Sequence, residues 1–218
     1  VVSQSQVTLL SGTNSDWETT LPSTSKIRWN APLSIAASTD HTGVYAAGNF
    51  SFSLKGTGGE PGSTSAGGAY NQVNHKNNTR AYVAAGATVI QEGPELKDIS
   101  VTADTKELVI ALGPTSGRGG SVGLNGMFSM TAIDSSTEAS ISNKASIAAK
   151  ELLLNAKEDV ISWALTGAVN MSESAGVGAA IAVNNIKANT RAFIGPNSTE
   201  DEGLEPGKVR AESLLVNA

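Results

Sequence analysis

The chain has 218 residues, no cysteine, and 15 basic against 20 acidic side chains for a net charge of −5. The lack of cysteine excludes a disulfide framework and a thiolate metal site. The acidic balance, with no cluster of Lys and Arg, argues against nucleic acid or an anionic membrane as partner, because both reward clustered positive charge.

Residues 1–66 read as an irregular or leading section. Val1–Gln6 carries neither the basic n-region nor the apolar h-region of a signal peptide. Leu33-Ser34-Ile35-Ala36-Ala37 and Phe50-Ser51-Phe52-Ser53-Leu54 alternate like strands, whereas Trp17, Pro22, Trp29 and Pro32 interrupt any regular pattern. No window of about 18 apolar residues, the length a membrane-spanning helix needs, occurs anywhere in the chain.

Residues 67–218 repeat. Asn78-Thr79-Arg80-Ala81-Tyr82-Val83, Ser136-Thr137-Glu138-Ala139-Ser140-Ile141 and Asn189-Thr190-Arg191-Ala192-Phe193-Ile194 share a small polar residue, Thr, a charge, Ala, a variable residue and a β-branched aliphatic. A second block, Ile99-Ser100-Val101-Thr102-Ala103, matches Leu152-Leu153-Leu154-Asn155-Ala156 at an offset of 53, and both resemble Leu214-Leu215-Val216-Asn217-Ala218. The same offset carries Leu108, Ile110 and Leu112 onto Ile161, Trp163 and Leu165, and Gly123–Met130 onto Gly176–Val183. Self-similarity at a long fixed period marks a repeat architecture. The units fall at about 67–120, 121–176 and 177–218, and the third copy breaks off at Ala218, as in a piece of a longer polypeptide.

Alternate residues of a strand share a face. Thr79, Ala81 and Val83, Thr137, Ala139 and Ile141, and Thr190, Ala192 and Ile194 are therefore expected inward, and Arg80, Glu138 and Arg191 outward on a solvated face. From Val83 to Ile99 is 16 positions, from Ile141 to Leu152 is 11 and from Ile194 to Leu214 is 20, so length variation is expected in one outer loop. Between Lys144 and Ala168, Leu153, Val160, Ile161, Ala164 and Leu165 also fit one helical face, although the ungapped match to Ile99–Leu112 favours strand. Coils of a parallel β-helix usually hold three short strands, which predicts two or three coils per unit and roughly 9 to 11 in the chain.

The strings Asn77-Asn78-Thr79-Arg80-Ala81-Tyr82-Val83 and Gly176-Val177-Gly178-Ala179-Ala180-Ile181-Ala182-Val183-Asn184-Asn185, through Ile194-Gly195, resemble the repeats of large bacterial exoproteins. These are leukotoxin-like and filamentous-haemagglutinin-like adhesins and autotransporter passengers. The resemblance covers about residues 67–218 and implies an all-β chain folded as a right-handed parallel β-helix. It further implies secretion to the cell surface and a non-catalytic stalk or adhesive role. The expected partners are neighbouring coils of the full-length protein and a host or cell-surface receptor or glycan, without insertion into a bilayer.

Chemistry is sparse by comparison. His41 and His75 lie in different sections, and His75 stands where other copies have Ile133 and Ile186, so a strand-end or partly buried histidine is expected rather than a catalyst. Asp98, Asp104, Asp134, Glu138, Glu151, Glu158 and Asp159 form no compact pair, but Asp134 and Glu138 share outward parity and leave a shallow carboxylate groove open to a β-helix glycosidase or lyase. In that alternative, a carbohydrate-active or carbohydrate-binding domain, Tyr82 and Phe193 would stack on sugar. Thr199-Glu200-Asp201-Glu202-Gly203 lacks a calcium-loop pattern and reads as a solvated loop. Gly56-Thr57-Gly58-Gly59 and Gly117-Arg118-Gly119-Gly120 lack the lysine and hydroxyl of a phosphate loop and read as turns. The glycosylation sequons at Asn49, Asn77, Asn170 and Asn197 are expected by chance in a chain this rich in Asn and Ser. No residue is assigned as catalytic, cofactor-binding or metal-ligating, and no cofactor is implied.

Overall fold

The computed structural model describes residues 2–9, 26–29, 31–52, 64–91, 94–118, 121–195 and 207–218. Among them are eleven strands and no helix: β1 (Val2–Leu9), β2 (Lys26–Trp29), β3 (Leu33–Ala46), β4 (Asn49–Phe52), β5 (Thr64–Val83), β6 (Thr88–Gln91), β7 (Ile99–Arg118), β8 (Val122–Ile141), β9 (Ser146–Met171), β10 (Ala175–Ile194) and β11 (Lys208–Asn217). Every strand pairing is parallel. One sheet has the order β1-β5-β8-β10; the other has β2-β6-β9-β7-β3, with β4 on β7 and β11 on β9. The chain passes from the first sheet to the second and back in each coil, which is the arrangement of a β-solenoid. The Lys144–Ala168 segment is strand from Ser146 onward, because in-register pairing with β7 overrides its local helix propensity.

The repeats stack residue on residue. Thr79 lies on Thr137 and Thr137 on Thr190, Ala81 on Ala139 and Ala139 on Ala192, Val83 on Ile141 and Ile141 on Ile194. Leu152 likewise sits on Ile99 and under Leu214. Each unit is nevertheless one coil, not two or three, and the strands make four coils: β1–β4, β5–β7, β8–β9 and β10–β11. The expectation of short strands fails because β5, β7, β8 and β10 each run 20 residues and β9 runs 26. Four coils at about 4.8 Å make a slab some 20 Å tall and about 65 Å wide, rather than a rod.

The length differences map to two nearby places instead of one. Thr88 pairs with Ser146 but Ile99 pairs with Leu152, so five extra residues sit between β6 and β7. Further extra residues precede Lys208, which also pairs with Ser146. In the intervening turn, Gly86 (φ 78°) and Lys144 (φ 61°) occupy equivalent left-handed positions in successive coils.

The interior changes character along the coil. Beside the β5–β6 and β8–β9 turns it is apolar: Val83, Val101, Ala139, Ile141, Ile147, Leu152 and Leu154 are all buried in one cluster. Each such aliphatic side chain stabilises the fold by about 1.5–3 kcal/mol on burial. Mid-coil the interior is polar, and past a small cluster of Val73, Val109, Ala111 and Ile133 it becomes mostly small and polar again. Thr190, Ala192 and Ile194 have the expected inward parity, but on the last strand of their sheet they are only partly covered, with Ile194 39% exposed.

Candidate functional site

The repeated threonine tethers the two sheets. Thr79 Oγ1 donates to Thr39 Oγ1 at 2.8 Å, Thr137 Oγ1 to Thr105 Oγ1 at 2.7 Å, and Thr190 Oγ1 to Glu158 Oε2 at 2.8 Å. Each of the three bridges runs from the motif threonine of one coil to the second sheet of the coil before it, to a hydroxyl in the first two and to a carboxylate in the third. Hydroxyl satisfies hydroxyl where an apolar pair would be neutral to register, so the bridge fixes how one sheet slides over the other.

Next to this row lies a buried cluster with titratable groups. His41 and His75 come from facing sheets, and their rings stack at 4.5 Å and 11°. Glu107, paired in register with His41, approaches His75 Nε2 at 3.5 Å and accepts from Ser135 Oγ at 3.4 Å. Burial lowers the pKa of both histidines, and for His41 the neighbouring His75 lowers it further. Burial, with the nearby Glu158 carboxylate, raises that of Glu107. His75 is therefore neither at a strand end nor partly exposed: it lies within β5 at 2% exposure. Sequence reading missed Glu107 altogether.

On the outer face of the first sheet, the charged positions of the three motifs meet. Arg80, Glu138 and Arg191 are adjacent in register, with Arg80 Nη2 3.0 Å from Glu138 Oε1 and Arg191 Nη2 2.7 Å from Glu138 Oε2. Ser140 Oγ also donates to Oε1 at 3.0 Å. The guanidiniums lie over the rings of Tyr82 and Phe193 at 5.0 and 5.6 Å. The outward parity of Glu138 is as expected, but it is not solvated: Glu138 is 2% exposed between Arg80 and Arg191, and Ser140, next outward on the same strand, is fully covered between Tyr82 and Phe193.

These residues floor a shallow groove that also contains Lys76, Asn78, Asp134, Ser136, Lys187 and Asn189. Asp134 and Glu138 do share it. Both oxygens of Glu138 are already bonded to arginine, however, and Lys187 Nζ stands 3.8 Å from Asp134. A glycosidase pair needs one carboxyl free to give a proton and another free to receive or attack. That freedom is absent at Glu138. Of the other acids, Asp98 and Glu151 are exposed neighbours on adjacent coils and line a second shallow groove with Leu33 and Leu153, Asp159 is exposed, Asp104 faces outward on β7, and Glu158 is held by Thr190. The Thr199–Gly203 run and the Gly56–Gly59 stretch lie outside the described residues, as do Gly119 and Gly120, whereas Gly117 and Arg118 end β7. No group of three or more His, Asp or Glu suited to a metal ion occurs among the described residues.

A third surface is apolar. Tyr70 and Phe128 stack outward at 5.6 Å and 1°, beside a trough formed by Gly68, Gly126 and Ala179.

No family model, curated protein or solved structure matches the chain.

Proposed function

We propose that the chain is a non-catalytic stalk or adhesion segment of a secreted or surface-displayed bacterial adhesin or exoprotein. The observation that carries this reading is the in-register stacking of whole repeats, 20 consecutive positions between β5 and β8 and again between β8 and β10. Such a stack extends by adding coils, and each added coil is joined by a full ladder of backbone hydrogen bonds, which gives stiffness without any active centre. The chemistry of Glu138 supports it, since this buried carboxylate on the outer face serves as a clip between coils. The test is location and activity together: antibody against this region should label intact cells of the producing bacterium, and the chain should release no product from a polysaccharide panel. Hydrolysis lost in Asp134→Asn or Glu138→Gln would overturn the reading.

A second reading, glycan binding without hydrolysis, is favoured by the stacked Tyr70–Phe128 pair alone, because paired outward rings beside a glycine trough offer sugar a flat apolar platform. Binding on a glycan array that disappears in Tyr70→Ala and Phe128→Ala would establish it.

A further inference from the structure

On the outer face of the first sheet one motif occurs twice. Lys76-Asn77-Asn78-Thr79-Arg80 on β5 and Lys187-Ala188-Asn189-Thr190-Arg191 on β10 both read Lys-x-Asn-Thr-Arg. The Lys, Asn and Arg of each copy share outward parity, and the register sets the copies on either side of Asp134, Ser136 and Glu138. The outward positions of β5, β8 and β10 carry four bases against two acids, whereas the rest of the chain carries 11 against 18. This face is thus positive in an acidic protein. Glu138 does not offset it toward solvent, because it is buried and its charge is taken up by the two arginines. Those arginines are held by Glu138 and by the rings of Tyr82 and Phe193, which fixes them before any ligand arrives. Lys187 and Asp134 are both exposed and stand 3.8 Å apart, a surface pair that holds neither firmly. Lys76 is exposed, with no carboxylate in ion-pair range among the described residues.

We propose that the groove between the lysine row and the arginine row binds an acidic polysaccharide carrying one carboxylate on every second ring. The inference rests on the glycan-binding reading above and names its ligand. In each copy of the motif, a carboxylate seated over Asn78 or Asn189 lies between an ammonium and a guanidinium four positions apart on one strand. β5 and β10 are separated by two strand spacings, roughly 10 Å. Alternate rings of a pyranose chain set their carboxylates about two ring lengths apart, which is close to that span. Between the two cationic positions β8 presents Ser136 and Asp134, which suit sugar hydroxyls and repel a third anion. A chain charged on every ring, a densely sulfated chain or a nucleic acid would set an anion over Asp134. An acidic peptide fits less well, because the groove is lined by polar and charged side chains alone and has no apolar pocket for the rest of a peptide. Tyr70 and Phe128 stand outward on the same strands six positions before Lys76 and Asp134, so the face joins rings for stacking to cations for carboxylates.

Calorimetric titration of the 218-residue chain with hyaluronan oligosaccharides, which carry a carboxylate on every second ring, tests this. Binding is expected, weakened by added salt and abolished when the carboxylates are reduced to alcohols. Lys76→Gln and Lys187→Gln should each weaken it about threefold and together about tenfold, with the melting temperature unchanged. Oligogalacturonate, charged on every ring, should bind the parent more weakly than hyaluronan. Asp134→Asn should narrow that difference by tightening oligogalacturonate, a gain that misfolding cannot imitate. Lys106→Gln, exposed on the second sheet, should change neither. No binding of hyaluronan, binding insensitive to both lysines, or equal binding of hyaluronan, oligogalacturonate and heparin by the parent would each overturn the inference. If carboxyl-reduced hyaluronan binds as tightly as the native chain and Tyr70→Ala removes both, the glycan reading stands and this inference falls. If no saccharide on a glycan array binds, both fall.

Discussion

Glu138 and Arg191, 53 positions apart in the chain, meet at 2.7 Å across adjacent strands, and Arg80 closes the other side of the same carboxylate at 3.0 Å. The charge therefore alternates coil by coil, positive on β5, negative on β8 and positive on β10 at one position in the register. A slip of two residues, the smallest that keeps the same face outward, would set Glu138 against Asn78 or Tyr82, neither of which can neutralise it. Glu138→Gln should destabilise the fold by about 1–3 kcal/mol, because two arginines are left facing each other over an amide. Arg191→Ala should cost less, since that guanidinium is nearly half exposed and partly screened by solvent. Urea denaturation of both variants, ranked against the parent, checks the order; equal midpoints for all three would reject the clip.

The stacking of the repeats is legible in the sequence, because Thr, Ala and a β-branched residue recur at positions that the parallel register superposes. Coil size was not: nothing in the composition says that a strand will run 20 residues, and the familiar short-strand geometry misled. The His41–Glu107–His75 cluster also had a signal that went unused. Leu33-Ser34-Ile35-Ala36-Ala37 matches Ile99-Ser100-Val101-Thr102-Ala103, and extending that match puts His41 on Glu107. The contact of His41 with His75 joins two different sheets, and no repeat within one sheet reports on it.

The stacked histidines make the fold acid-sensitive. Both have a folded pKa below the ordinary 6.5, so the unfolded chain takes up protons first. Their contribution to stability is intact above about 6.5 and is lost as pH falls through that value toward the lowered folded pKa. Glu107 acts in the opposite sense: its pKa is raised above the ordinary 4.5, so its burial costs stability at neutral pH and the cost fades as it protonates. The histidines should dominate just below pH 6.5. His75→Ile, which installs the residue found at Ile133 and Ile186 in the same register, should flatten the fall in melting temperature between about pH 7.5 and 5.5. An unchanged slope would remove the cluster as its cause.

Leu154 is fully buried between Val101 and Val216 in successive coils. Leu154→Ala should cost about 2–5 kcal/mol through lost burial and a cavity that rigid sheets cannot close. Leu165→Ala, on the exposed far half, should cost within about 0.5 kcal/mol. Chemical denaturation at low protein concentration separates the two.

Lys144 holds φ 61° at the turn between β8 and β9, where the coil before it has Gly86 at φ 78°. A residue with a Cβ pays a steric cost in that region that glycine does not, and the exposed Lys144 side chain gains no burial to offset it. Lys144→Gly should raise stability, by about 0.5 kcal/mol once the greater freedom of glycine in the unfolded chain is subtracted. The reverse change, Gly86→Lys, should lower it by about 1 kcal/mol. The pair forms its own control: the two turns have the same backbone and differ in the side chain they carry. Thermal melts that shift in opposite directions would attribute the effect to the left-handed conformation, whereas a loss of stability in both variants would assign Lys144 a contact of its own.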